Sequence, residues 1–196
     1  MSFKKNKYVV VKKVISKDIA NLAFNYLLLK KEVFSTTKFN FLGTFEDPQA
    51  PNTYSTYGDI LMDSLLKIAK PVMEKYTNLK LVETYSYSRL YKKGDILHKH
   101  KDRPSCEISS TMNLGGDLWP IYLENNKVIE VNLKPGDILI YRGCDLAHWR
   151  DKFKGKSCGQ VFLHYNNLKS KEVIPNKYDG RFHLGLPHDY QISNKR

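Results

Sequence analysis

The sequence predicts a mainly β fold, a sandwich or jelly roll, with α-helices packed on one outer face at its N-terminal end. Three observations carry this. Helical periodicity is confined to the first 78 residues. After Asn78 the chain breaks into about eight short pieces rich in Val, Ile, Thr and Tyr, set apart by turn residues. Strands do not alternate with helices beyond residue 80 and no GxGxxG is present, so a doubly wound dinucleotide-binding sheet is excluded.

The elements follow in order. Ser16 is a good N-cap, and Ile19, Leu22, Ala23, Tyr26 and Leu27 give a helix running to about Val33. Ser35 to Thr56 contains Pro48 and Pro51 and reads as a long loop. A second helix spans about Asp59 to Tyr76, with an apolar stripe of Leu61, Leu65, Ile68, Ala69, Val72, Met73 and Tyr76. Pro71 inside it is expected to kink it or to end its first half. Strands are expected at Lys80–Tyr91, Leu97–Lys101, Glu107–Leu114, Pro120–Glu124, Val128–Asn132, Ile138–Tyr141 and Cys158–Tyr165. Turns at Lys92–Asp95, Asn125-Asn126 and Pro135-Gly136-Asp137 separate them. With neither linker nor repeat, 1–196 reads as one domain: helical support over 1–78, a β core over 79–166 and a polar tail over 167–196.

Composition limits what this domain does. A hydrophobic fraction of 41%, with 13 Tyr and 9 Phe, is enough for a sizeable core and excludes disordered, collagen-like and disulfide-framework classes. No apolar run approaches the roughly 18 residues of a spanning helix. Met1 to Val14 holds only the short run Val9-Val10-Val11, too short for the core of a signal peptide. Cys106, Cys144 and Cys158 are odd in number and widely spaced, which fits a reducing, cytoplasmic compartment. The net charge of +12 rests on 26 Lys against 6 Arg, with only five Ala. That bias reads as the mark of an AT-rich genome, viral or streamlined bacterial, more than of a polyanion site. The lysines are dispersed, and no RNP, KH or helix-turn-helix signature accompanies them, so a nucleic-acid partner is not favoured.

The densest convergence of polar groups is His98-Lys99-His100-Lys101-Asp102. On a strand, His98, His100 and Asp102 would share one face. A further ligand is expected at His148, after the Ile138–Tyr141 strand and the turn Arg142–Asp145. Two imidazoles and one carboxylate leave open positions on an octahedral metal, a set that suits non-heme Fe(II).

Three segments in order, RLYKKGDILHKHKD, LKPGDILIYRGCDLAH and KGKSCGQVFLHY, resemble the iron(II)- and 2-oxoglutarate-dependent dioxygenases, in the branch around the prolyl 4-hydroxylases. The resemblance covers about Ser86 to Asn166. It implies a double-stranded β-helix core, with His100, Asp102 and His148 as metal ligands. It implies Fe(II), 2-oxoglutarate as cosubstrate, O2, and ascorbate as an accessory reductant. Lys156 is the implied partner of the far carboxylate of 2-oxoglutarate. It lies eight residues after His148, slightly short for the branch, and strand parity places Lys156, Cys158, Gln160 and Phe162 inward. Arg150 is the rival for that carboxylate, with a better bidentate fork. Tyr91 resembles the tyrosine whose hydroxyl reaches the same group. Leu97 departs from the family at a position where many relatives carry tyrosine. The implied reaction oxidises 2-oxoglutarate to succinate and CO2 while hydroxylating a C–H bond of a protein or small-molecule substrate, peptidyl proline being the first candidate.

Around this centre, Arg103 and Glu107 are placed to touch substrate or ligands, Trp119 and Trp149 to line the mouth, and Arg181 of YDGRFHLG to close over it. His98 reads as an exposed strand residue or a ligand's hydrogen-bond partner, and His164 as structural. Two other functions remain to be weighed. The run HKHKD begins the HxHxDH motif of dinuclear zinc hydrolases, but Arg103 stands where that motif needs His. A basic module binding a polyanion without catalysis would need no metal at all.

Overall fold

The computed structural model describes residues 3–187. A short helix α1 (Phe3–Asn6) and strand β1 (Tyr8–Val11) precede α2 (Lys17–Thr37), β2 (Tyr54–Tyr57) and α3 (Ile60–Thr77). Then come β3 (Leu81–Lys92), β4 (Leu97–His100), β5 (Ile108–Gly116), β6 (Ile121–Asn125), β7 (Lys127–Val131), β8 (Ile138–Arg142), β9 (Ala147–Arg150) and β10 (Ser157–Asn167). A one-turn helix α4 (Val173–Asn176) follows. The strands form a six-stranded sheet in the order β1-β8-β5-β10-β3-β2 and a four-stranded sheet in the order β4-β9-β6-β7, antiparallel throughout. Mainly β with helices at the N-terminal end, in two facing sheets, is the architecture the sequence implied.

Both long helices are capped as their sequences require. Ser16 Oγ accepts from the Ile19 N–H at 3.2 Å, and α2 ends at Lys38 in the left-handed region. The Asp59 carboxylate accepts from the N–H groups of Leu61 and Met62, and α3 ends at left-handed Asn78. Asp59 is also bonded by Tyr26 at 2.6 Å and by Lys30, which ties the start of α3 to the body of α2. Pro71 does not interrupt α3. It sits on the exposed side, where a carbonyl deprived of its helical donor is open to solvent.

The larger sheet is covered on both faces, so its strands lose their amphipathic signature. Towards the helices, Ile108, Met112, Ile138, Ile140, Val161 and Leu163 pack on Ala20, Ala23, Leu27, Met62, Leu65, Leu66, Ala69 and Met73. The alternate positions Leu139, Tyr141, Cys158 and Phe162 turn inward, towards the smaller sheet. The contact stripe on α3 is therefore rotated from the one expected: Met62 and Leu66 are buried, whereas Ile68 and Tyr76 are exposed. On α2, Ile19 and Leu22 are likewise exposed, and Ala20 replaces them.

Three differences from the sequence reading involve strands. β1 and β2, from the segment read as helical support and loop, extend the large sheet at its two edges. β9 has only the residues AHWR, too few for a periodicity to register, yet it is the strand that carries His148. The tail is anchored by Asp63, a buried carboxylate on α3. It accepts from the Ser86 N–H and hydroxyl, from Arg181 Nη1 at 3.2 Å and from the Gly185 N–H at 2.7 Å. Arg181 is thus buried against Thr84 and Asp63 and does not close over the site, because burial of its charge demands that acid. The end of the tail, 188–196, lies outside the described residues.

Candidate metal centre

His100 and His148 are brought together by strand pairing. β4 and β9 are antiparallel neighbours in which Leu97 faces Arg150 and His100 faces His148. Three steps along β4 match two along β9, so β4 carries a bulge. The extra residue resets the parity. Leu97 and His100 both turn into the barrel and line one cavity, while His98 is exposed. The expectation that His98 and His100 share a face fails for this reason, and with it the zinc-hydrolase reading, whose layered αβ/βα fold is also not the one found here.

The donor atoms are oriented before any ligand arrives. His100 Nδ1 lies 2.7 Å from the His98 carbonyl oxygen and His148 Nδ1 lies 3.0 Å from that of Leu146. Each Nδ1–H donates to a carbonyl, which leaves both Nε2 lone pairs free for a metal. Asp102 Oδ1 lies 3.7 Å from His100 Nε2 and 3.5 Å from His148 Nε2. The three donor atoms all fall within 4.8 Å of one another, and no other group of three such donors occurs among the described residues. Asp102 leaves the end of β4 on a loop stitched to the β8–β9 turn, with its N–H donating to the Gly143 carbonyl at 3.0 Å. Gly143 has no room for a side chain: a Cβ there would overlap Asp102 Oδ2, the Cys106 carbonyl and Ser109 Oγ.

The second oxygen of Asp102 is held by a relay. Ser109 Oγ donates to Asp102 Oδ2 at 2.6 Å and lies 3.0 Å from His164 Nδ1, whose N–H supplies the next bond. Burial opposes ionisation of Asp102. The adjoining His148, followed by His164 and the Ser109 hydroxyl, outweighs it and holds the carboxyl well below the usual carboxylate range. Burial, followed by the neighbouring His148, lowers His100 as well. An ionised carboxylate beside a neutral imidazole is the state a divalent cation requires.

His164 is fully buried, ring to ring with Tyr85 at 4.6 Å, and its pKa falls to about 4 because burial disfavours the imidazolium. The unfolded chain binds this proton near pH 6.5, the folded protein only near 4. The corresponding stability is complete above pH 6.5 and is lost as pH falls towards 4, on the order of 3 kcal/mol in all. Urea unfolding at pH 7.5 and pH 5 should therefore show a steeper acid loss in wild type than in His164→Asn. Equal losses in the two proteins would refute a buried neutral His164.

The cavity holding the three donors has a volume of about 300 Å³. Tyr85, Tyr87 and Phe162 form part of its wall, and Lys101 and Arg103 stand on one rim. Arg103 follows Asp102 directly. Its guanidinium lies 4.8 Å over the Tyr85 ring and pairs with Asp179 of the tail at 2.7 Å. Asp47, Pro48 and Gln49 also line the cavity, and Arg89 fastens them. Arg89 Nε donates to Asp47 at 2.6 Å and Nη2 to Gln49 at 2.8 Å, with the guanidinium between the Tyr87 and Phe162 rings. Nothing in the local sequence marks Asp47 or Arg89 as partners 42 residues apart.

Other sequence candidates divide sharply. Lys156 is exposed just before β10 and does not turn inward. Strand parity does not extend to it because β10 begins only at Ser157. Arg150, by contrast, is fully buried, two residues along β9 from His148 and on the same face. Its Nη1 donates to the Trp119 carbonyl, its Nη2 lies 3.5 Å from Thr111 Oγ1, and its Nε has no partner. No carboxylate among the described residues pairs with it, and burial pulls its pKa down from the guanidinium range. Tyr91 is buried beside it, with its hydroxyl accepting from Arg89 Nη1 at 3.3 Å. Trp119 packs against Tyr91 and Phe153 beneath Arg150 and does not line the mouth, since the indole N–H is satisfied by the Asp151 carbonyl. Trp149 stacks on Tyr122 on the outer face of the small sheet, and Glu107 fastens β10 through the Asn167 N–H.

The sequence matches no protein-family model, and no curated protein matches it. The fold does match solved structures over most of the chain. A Pseudomonas putida prolyl-4-hydroxylase superposes with a TM-score of 0.68 at 10% identity, over 84% of this chain and 95% of that one. The viral collagen prolyl hydroxylase of Paramecium Bursaria Chlorella virus-1, solved with 2-oxoglutarate, gives 0.62 at 11% identity, over 84% and 98%. HygX of Streptomyces hygroscopicus, solved with nickel and 2-oxoglutarate, gives 0.63 at 13% identity, over 90% and 93%. The chain has the double-stranded β-helix fold of the 2-oxoglutarate- and iron(II)-dependent oxygenases, prolyl 4-hydroxylases included. No helix among its described residues is long and apolar enough to cross a membrane.

Proposed function

We propose that this protein is an Fe(II)- and 2-oxoglutarate-dependent oxygenase that hydroxylates an unactivated C–H bond, with His100, Asp102 and His148 as its metal ligands. One observation carries the reading: His148, one of three convergent metal donors, and an uncompensated buried guanidinium, Arg150, stand on one face of one short strand. A position two residues along a strand is about 7 Å away. That matches a five-carbon dicarboxylate with one end at the metal and the other on Arg150. A buried cation with an unpartnered Nε is costly in isolation and is stabilised by an anion that enters. Arg150, not exposed Lys156, therefore takes the far carboxylate, with Tyr91 and Thr111 beside it. Trp119 forms the wall of that pocket.

When bound, iron and the 2-oxo acid would supply the oxidising chemistry. The protein positions the donors, excludes water from the interior and presents the substrate at the mouth. Tyr85, Tyr87 and Phe162 offer aromatic faces to a saturated ring. Two of the matched structures are prolyl hydroxylases. Peptidyl proline is accordingly the substrate proposed, with Arg103 contacting the flanking chain. The free thiols of Cys106, Cys144 and Cys158 suit a cytoplasmic setting.

The test is succinate formation by the Fe(II)-reconstituted protein over a panel of proline-containing peptides, free amino acids and nucleobases, with mass spectrometry of each product. Succinate that depends on both iron and a peptide, with one oxygen gained at proline, is the expected result. Iron binding without turnover on any peptide would remove the substrate class. Failure to bind iron would remove the oxygenase and leave the non-catalytic basic module.

A further inference from the structure

We propose that Tyr141 is a cosubstrate-binding residue whose hydroxyl donates a hydrogen bond to an oxygen at the 2-oxo acid end of 2-oxoglutarate. The inference rests on the function proposed above and adds a contact that the sequence reading did not contain. Tyr141 lies on β8 in the large sheet and turns inward with Leu139, so its side chain crosses to the small sheet and lines the cavity. Its hydroxyl oxygen lies 3.3 Å from His148 Nε2, with the two rings edge to face at 4.7 Å.

His148 Nδ1 is committed to the Leu146 carbonyl, so Nε2 is the lone-pair nitrogen and the phenol is the donor. A metal that takes the Nε2 lone pair takes the acceptor of Tyr141. No second hydrogen-bond partner of this hydroxyl is found among the described residues. Tyr141 is buried, with 1% of its surface exposed. A buried O–H that has lost its acceptor needs another. The replacement must lie beside the metal, because the hydroxyl is within reach of a metal-ligand nitrogen. This separates Tyr141 from Arg150, which serves the other end of the same molecule.

The experiment compares wild type, Tyr141→Phe and Arg150→Met, each loaded with Mn(II), by calorimetric titration with 2-oxoglutarate and with oxalate. Oxalate keeps a chelating pair of oxygens but has no far carboxylate. Phenylalanine fills the same ring volume, and thermal melting of the metal-free variant checks that the fold is retained. Tyr141→Phe should weaken 2-oxoglutarate and oxalate alike, about tenfold, while Mn(II) affinity without either acid stays within threefold of wild type. Arg150→Met should weaken 2-oxoglutarate and leave oxalate unchanged. Wild-type affinity of Tyr141→Phe for both acids would overturn the proposal. So would a loss confined to Mn(II) itself, which would make Tyr141 only a support for His148. If wild-type protein binds Mn(II) but neither acid, the functional reading fails and this contact falls with it.

Discussion

Asp102→Ala should lower divalent-metal affinity by at least a hundredfold, and His100→Ala and His148→Ala should do the same, while His98→Ala retains the metal. Asp102 is the one carboxylate of the donor set. Its Oδ1 faces both imidazole nitrogens and its Oδ2 is fixed by Ser109, so no neighbour rotates in to replace it. Loss of partners that merely orient a ligand typically costs 10- to 100-fold in metal affinity, and loss of the ligand itself costs more. The check is competition titration of the metal-free proteins with Mn(II), together with melting at a metal concentration near 100 times the wild-type Kd. Wild type should gain about 2.7 kcal/mol of stability there, and Asp102→Ala no more than about 0.4 kcal/mol. A wild-type-like titration for Asp102→Ala, or loss of metal in His98→Ala, would discard this ligand set.

Arg150→Met should raise the Kd for 2-oxoglutarate by about 30- to 5,000-fold, the equivalent of the 2–5 kcal/mol that follows truncation of one partner of a buried charge pair. Methionine keeps the length and most of the volume of the arginine stem, so the effect reports the guanidinium. Metal affinity should change little, because Arg150 is not among the donors. Lys156→Ala is the matched control and should bind 2-oxoglutarate as wild type does, since Lys156 is exposed. The measurement is quenching or calorimetric titration of the Mn(II)-loaded proteins. A crippled Lys156→Ala beside a normal Arg150→Met would return the anchor to the start of β10.

Much of this protein was legible in its residues. Ser16 and Asp59 cap the helices they were expected to begin, because capping depends on a few neighbouring backbone groups. The turn at Pro135-Gly136-Asp137 and the strand after it follow from local chemistry in the same way. Strand parity left His98 beside His100 and Asp102, the family resemblance singled out His100, Asp102 and His148, and the structure brings these three together.

Other features depended on contacts between distant segments. Which side of α2 and α3 is buried was set by the sheet they cover, so Ala20 and Met62 displaced Ile19 and Ile68. β1 and β2 exist because a sheet edge was open to receive them, which their own residues do not record. The bulge that excludes His98 arises from pairing with β9, a strand too short to announce itself. Lys156 and Arg150 carry the same charge near the same motif, and only the structure shows that Arg150 is buried and Lys156 exposed. Asp47, Arg89, Ser109 and Tyr141 acquired their places only when strands from both sheets met around one cavity. The sequence by itself determined the two long helices, seven of the strands, the turn chemistry and the types of donor available. The tertiary structure decided which of those donors face one another, because facing depends on register and on the crossing of two sheets, and neither is a property of any local stretch of chain.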